Sequence, residues 1–259
     1  MSIHRLFMPV AVACLMMGAC QRTPSRTADQ APPPPAEPKN DALVRVIQAH
    51  PDAPQADVYA GNQKTFAGVG YGTVTPYKSV ADDLKITLRP AGQETGVVMI
   101  ESQSAVQSGK RYTALAEADR DYSAKLALVP DEVRSPSPGK ALVRVIHADP
   151  QSGPVDLLRG ASAKDAIISD VDYGAPPRYT EVEPVGATVR VAAKTEATRS
   201  RAARSPALLE KTDIEAGKVY TLVVAPSDEP GKPVKMIKVE DPVTSDEPPP
   251  ASEPKPERP

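Results

Sequence analysis

Tryptophan is missing from this 259-residue chain, aromatic residues make up only 4% of it, and there are three histidines and two cysteines. The scarcity of cysteine and histidine leaves few ligands for a zinc or iron site built on those side chains. Neither sign of charge is in large excess: 31 Lys and Arg stand against 33 Asp and Glu, a formal net charge of −2. That balance excludes the global basic field on which nucleic-acid binding usually rests. No G-x-S-x-G elbow, H-E-x-x-H pair or G-x-x-x-x-G-K-[ST] loop occurs, so no motif points to a hydrolase, a metalloprotease or a nucleotide-binding enzyme.

Proline, by contrast, is abundant, with 30 residues concentrated towards the two ends. The first end carries more than proline. Leu6 to Ala19 is apolar apart from Pro9 and Gly18, a length suited to the core of a signal peptide and too short to span a bilayer. It closes on Leu15-Met16-Met17-Gly18-Ala19-Cys20, which resembles the lipobox of bacterial lipoproteins, with Met17 where Leu is usual. The resemblance implies a signal peptide over 1–19, cleavage before Cys20, a diacylglycerol thioether on Cys20 and anchoring in the membrane. Gln21 in place of Asp is similar to the outer-membrane sorting signal, if the host is Gram-negative. Cys14 leaves with the signal, so no pair remains for a disulfide. Residues 20–40 are rich in Pro and Ala and read as a spacer with a reach of about 65 Å in polyproline geometry. Residues 241–259 read as a second, disordered Pro-rich tail.

Between the tails lies an internal repeat. Ala42-Leu43-Val44-Arg45-Val46-Ile47 recurs unchanged at Ala141-Leu142-Val143-Arg144-Val145-Ile146, a shift of 99 residues. The shift grows to 102 at Tyr71-Gly72 and Tyr173-Gly174, and to 108 at Gly109-Lys110-Arg111-Tyr112-Thr113 and Gly217-Lys218-Val219-Tyr220-Thr221. Ordered landmarks with growing offsets predict one fold duplicated, with loops inserted in the second copy. The expected boundaries are 41–134, a linker over 135–139, and 140–240. Within each copy the apolar period is two: Val44 and Val46 flank Arg45, Leu84, Ile86 and Leu88 alternate with Lys85 and Thr87, and Val189 and Val191 flank Arg190. Half-buried strands separated by Gly and Pro turns predict an all-β chain of two tandem immunoglobulin-like antiparallel β-sandwiches.

The residues now carry a resemblance. Val-Arg-Val-Ile-His-Ala-x-Pro at the start of the second copy, Pro51-Asp52-Ala53-Pro54 with Asp57-Val58-Tyr59 in the first, the Tyr-Gly pairs and the late Gly-Lys-x-Tyr-Thr resemble the bacterial domain of unknown function 4397. The resemblance implies secreted or lipid-anchored β-rich domains, often in tandem and without an established enzymatic activity. Gln48 stands where that pattern has His, and Gln151-Ser152-Gly153-Pro154 loosens the turn in the second copy.

Candidate sites are few. His50 and His147, each two residues from an Asp, could begin an acid–base pair or a metal site, or else be strand-end histidines held by turn hydrogen bonds. The Gly68-Val69-Gly70-Tyr71-Gly72 run lacks dinucleotide spacing and reads as a tight bend or bulge. Arg199, Arg201 and Arg204, with Lys194 and Lys211, form a local basic stretch suited to anionic lipid or an acidic polymer. Tyr71 and Tyr173 follow loops and are candidates for a sugar-stacking surface. The expectation is therefore a lipid-anchored envelope protein without a cofactor, binding an envelope glycan or protein partner. The alternative is an envelope hydrolase or metal-dependent enzyme with a site between the two copies.

Overall fold

In the computed structural model of the chain, residues 41–93, 98–159, 166–185, 189–193, 207–210, 212–232 and 234–243 are described. Cys20, Arg199, Arg201, Arg204, Lys194, Lys211 and both Pro-rich ends lie outside them. Among the described residues every regular element is a strand. The first half holds β1 (Ala42–Gln48), β2 (Ala56–Ala60), β3 (Gln63–Val69), β4 (Lys78–Val80), β5 (Ile86–Pro90), β6 (Ile100–Glu101), β7 (Arg111–Ala118) and β8 (Ala124–Pro130). The second half holds β9 (Ala141–His147), β10 (Val155–Arg159), β11 (Ala166–Val171), β12 (Thr180–Val182), β13 (Val189–Ala193), β14 (Ala207–Glu210), β15 (Val219–Pro226) and β16 (Val234–Asp241).

The strands form four sheets, ordered β4-β1-β7-β8 and β3-β2-β5-β6 in the first half, and β12-β9-β15-β16 and β11-β10-β13-β14 in the second. Strand for strand the two orders correspond. The fold is all-β and sandwich-like, with one difference from the purely antiparallel expectation. β1 runs parallel to β7, pairing Arg45 with Thr113, and β9 runs parallel to β15, pairing Arg144 with Thr221. Each half therefore opens on a strand that is reached again only after a long crossover, which a parallel pairing requires.

Period-two patterning fills each sandwich. Val44, Val46, Val58, Ile86, Leu88 and Ala114 belong to the core of the first half. Val143, Val145, Leu157, Leu222, Val224 and Met236 belong to that of the second. The opposite faces of β1, β7, β8, β9, β15 and β16 also carry apolar residues. Ile47, Leu115 and Val129 pack with Ile146, Val223, Ile237 and Val239 in a third core shared by the two halves. Each such side chain contributes about 1.5 to 3 kcal/mol when fully buried. This explains why the described residues of the two halves fall in one compact unit.

The shared core also corrects the reading of β1 and β9 as half-buried strands with one face in solvent. Both are buried on both faces, and Arg45 and Arg144 are only 2% and 1% exposed. Alternation of Val and Arg marks two different buried surfaces here, one apolar and one carrying a paired charge.

Candidate functional site

The junction between the halves is built from the residues that the repeat duplicates. On β1 and β7 the parallel register places Arg45 beside Thr113, and Arg45 Nε donates to Thr113 Oγ1 at 2.8 Å. On β9 and β15 it places Arg144 beside Thr221, and Arg144 Nε donates to Thr221 Oγ1 at 2.8 Å. The far ends of the two guanidinium groups cross between halves. Arg45 Nη2 lies 2.6 Å from Asp241 Oδ1 of the second half, and Arg144 Nη2 is ion-paired with Asp131 of the first. Arg144 Nη1 donates to the Pro130 carbonyl at 3.1 Å.

Two tyrosines complete the cluster at a shift of 102 residues. Tyr77 donates to Asp131 Oδ2 at 2.7 Å, and Tyr179 donates to Asp241 Oδ2 at 2.8 Å. The Arg45 guanidinium lies 4.9 Å from the Tyr77 ring centre and that of Arg144 4.7 Å from the Tyr179 ring centre, a cation–π geometry. Burial first of all raises the Tyr179 phenol above its ordinary range, with Arg144 opposing and Asp241 adding to the rise. Tyr179 therefore remains a hydrogen-bond donor at any ordinary pH.

Tyr71 and Tyr173 form a second crossing. Gly72 and Gly174 take positive φ values of 75° and 70°, a conformation that favours glycine. Their amides donate to the carbonyls of Gln48 and His147 at 2.8 and 3.2 Å. These turns send the preceding tyrosine across the junction. Tyr71 donates to the Pro226 carbonyl of the second half, and Tyr173 donates to the Ala118 carbonyl of the first at 2.8 Å. Lys235 lies over the Tyr71 ring at 4.7 Å, and Lys125 over the Tyr173 ring at 5.4 Å. Each ring thus makes a contact across the junction and carries a cation over one face.

The histidines brace turns. His147 Nδ1 accepts the Asp149 amide at 3.3 Å and its Nε2 faces the Gly153 carbonyl at 3.0 Å, so the neutral ring is protonated on Nε2. Burial lowers its pKa from the ordinary value, which favours that neutral form. At the equivalent position Gln48 Oε1 accepts the His50 amide at 3.0 Å. Gln48 thereby performs with an amide oxygen what His147 performs with a ring nitrogen. His50 Nε2 lies 3.2 Å from the Tyr122 carbonyl. Among the described residues no three of His, Cys, Asp and Glu gather as metal ligands.

Asp57, shared by both copies as Asp156, is also a brace. It accepts the Gly68 and Gly92 amides at 2.9 and 3.2 Å and pairs with Lys64 at 3.0 Å. These bonds, the Gly68 amide first, lower its pKa from the ordinary carboxylate value. Asp156 in turn accepts the Asp170 amide at 2.9 Å.

One carboxylate breaks the correspondence. Glu117, on the junction face of β7, is 3% exposed and pairs with Lys125 Nζ at 3.3 Å. At a shift of 108 its counterpart is Ala225, an apolar member of the shared core. Burial pushes the Glu117 carboxyl up from 4.5 to about 7, against the pull of Lys125.

Beside the crossed cluster, the junction opens into a cleft of about 570 Å³. Its first wall comes from Val129, Pro130, Glu132 and Arg134, and its second from Arg144, Pro176, Pro177, Arg178 and Tyr179. Arg134 is engaged with Glu181 at 3.1 Å. Among the described residues Arg178 has no ion-pair partner and is exposed. None of these cleft residues stood out as a site from sequence. The available signal was Arg144 inside the repeated hexapeptide, followed by a Pro-Pro-Arg-Tyr run at the shift that relates the two Tyr-Gly pairs.

These features define a double β-sandwich whose duplicated polar residues brace a common junction. Residues 42–158 match the model of a family described as "Domain of unknown function (DUF4397)", a segment that runs from the first residue of β1 into β10. No curated protein matches the chain. Among solved structures the chain is similar to the C-terminal domain of AlgF from P. aeruginosa, at 23% identity and a TM-score of 0.26, over 40% of this chain and 99% of that one.

Proposed function

We propose that this chain is a lipid-anchored protein of the cell envelope that acts by binding or organising partners, and that it is not an enzyme. The anchor in this reading is Cys20, supported by the Leu-Met-Met-Gly-Ala-Cys sequence that ends the apolar leader. The observation that carries the non-catalytic part is the equivalence of Gln48 and His147. A ring whose counterpart is an amide, and whose two nitrogens are engaged by backbone groups, is employed as a brace for a turn. The partner class is an envelope glycan or protein, reached from the membrane across the spacer at 20–40.

Fractionation of cells expressing the whole chain and its Cys20→Ala variant tests the anchor: the wild type is expected in the membrane fraction and the variant in the soluble one. Equal partition of the two would remove the lipid anchor from the reading. The soluble protein is expected to turn over no glycan, peptide or ester in a way that depends on His50 or His147, and such turnover would overturn the non-catalytic assignment.

A further inference from the structure

The two tyrosine crossings are built alike but held unequally. Lys125 pairs in register with Glu117 and lies over the Tyr173 ring, and Lys235 pairs in register with Ala225 and lies over the Tyr71 ring. The lysine is thus duplicated and the carboxylate beside it is not. Lys235 takes Asp228 at 3.3 Å instead, a pair that stays in solvent.

The turns that carry the two rings differ as well. In the first half the Gly72 amide donates to the Gln48 carbonyl at 2.8 Å, the Gln48 amide to the Thr73 carbonyl at 3.1 Å and the Thr75 amide to the Val46 carbonyl at 3.0 Å. Thr75 Oγ1 also accepts the Val46 amide at 2.8 Å. This turn is stitched to β1 along its length. At the shift of 102 residues Thr75 becomes Pro177, preceded by Pro176, and proline offers neither the amide nor the hydroxyl. Among the described residues the second turn is tied to β9 by the Gly174 amide on the His147 carbonyl at 3.2 Å, and to the first half by the Tyr173 hydroxyl on the Ala118 carbonyl at 2.8 Å.

Glu117 belongs to the side with the looser turn. Its own half sets Lys125 and Asp119 against it, and burial outweighs the pull of Lys125 on its carboxyl. Glu117, Asp119 and Arg120 all act on the Tyr173 phenol. On the second half, His147 lies edge-on to the Tyr173 ring at 6.3 Å, with Asp172 acting on the imidazole. Burial raises the Tyr173 phenol above its ordinary range, and a proton on His147 comes only on the acid side. Glu117 is therefore the group of this cluster whose charge changes around neutrality. We propose that the Tyr173 turn, residues 172–175, is a latch across the junction that Glu117 releases on ionising: water replaces the cover over the carboxylate and the turn swings away on Pro176 and Pro177. The Tyr71 crossing, with Ala225 in place of the carboxylate, stays closed and keeps the halves together. Opening uncovers the Tyr173 ring and the carbonyls of Ala118 and His147, a surface offered above neutrality and withdrawn in mild acid. This device does not depend on the anchor or on what the protein binds.

The test is hydrogen exchange of the full chain in a mild detergent at pH 6 and pH 8. It is read by mass spectrometry over peptides holding Gly174 and Gly72, with each rate divided by the intrinsic rate at that pH. Opening at Gly174 is expected to rise about tenfold between the two, the part of the Glu117 linkage that falls in this interval. Opening at Gly72 is expected to stay level. Glu117→Gln and Glu117→Ala, the second of which copies Ala225, are each expected to abolish the rise at Gly174. A rise that survives in both variants would give the latch to another group. An equal rise at Gly72 would mean that the whole junction loosens at once, and a level Gly174 in the wild type would mean that the turn stays closed. Each of these three results overturns the proposal.

Discussion

Arg45 and Asp241, 196 residues apart in sequence, are held as an ion pair at 2.6 Å inside the junction between the two halves. Their carboxylate and guanidinium partners repeat the arrangement in the opposite sense, through Arg144 and Asp131. Removing one member of a buried pair leaves the other charge uncompensated and costs about 3 to 5 kcal/mol. Asp241→Ala is therefore expected to destabilise the protein by that amount, because Arg45, Thr221 and Tyr179 all lose their acceptor. Replacing both charges, as Arg45→Met with Asp241→Leu, should recover more than half of the loss. Urea unfolding of the two single variants and the double variant gives the coupling directly. Strict additivity of the single effects would show that the pair does not act as a unit. Wild-type unfolding is expected as a single transition, since the third core belongs to both halves.

Glu117 makes stability depend on pH. Its folded-state pKa of about 7 lies above the ordinary 4.5 because burial disfavours the charged form. Between these values the folded protein binds more protons than the unfolded chain, so stability falls as pH rises from about 4.5 through 7. The full effect above that window is about 3 kcal/mol, at about 1.4 kcal/mol per pKa unit. Glu117→Gln should remove this fall and be more stable than wild type at pH 8, with little difference at pH 4.5. Denaturant midpoints of both proteins at the two pH values decide the matter, and an unchanged gap between them would assign the pH dependence elsewhere.

His147 works in the opposite sense. Its pKa is lowered by burial, so the unfolded chain takes up the proton first as pH falls through about 6.5, and that contribution to stability is lost towards acid. His147→Gln is expected to keep the acceptor for the Asp149 amide, as Gln48 does for His50, and to lie within about 1 kcal/mol of wild type with this acid sensitivity gone. His147→Leu leaves a buried amide and a carbonyl without a partner and should cost about 1 to 3 kcal/mol. Thermal melts at pH 5 and 7.5 separate the two variants. A Gln variant as damaged as the Leu variant would mean that the ring does something other than brace the turn.

The sandwich architecture was legible because alternation in Val44 to Ile47, Ile86 to Leu88 and their counterparts reports a face buried on each strand. The identical hexapeptides, legible at once in the sequence, lie in strands of corresponding place in the sheet order, β1 and β9. The junction was not legible. An Arg between two valines is written the same way whether it faces water or a carboxylate carried by a strand nearly 200 residues later. For the same reason Tyr71 and Tyr173 read as exposed loop residues, although each hydroxyl meets a carbonyl of the other half. Long-range pairing of this kind leaves no local signature, whereas a turn glycine such as Gly72 does, and that position was readable as a tight bend. The parallel pairing of β1 with β7 was hidden likewise, because period two does not encode strand direction.

The crossed ion pairs set an order in time. β1 is among the first parts of the fold to be synthesised, yet the carboxylate that neutralises Arg45 sits on the last residue of β16. Until that strand exists, Arg45 has only the more distant Asp131, at 3.9 Å, as a carboxylate counterpart, so the completed junction is withheld from every shorter nascent chain. Contacts across so many residues slow folding, so the junction between the halves closes only when the last strand has joined the first.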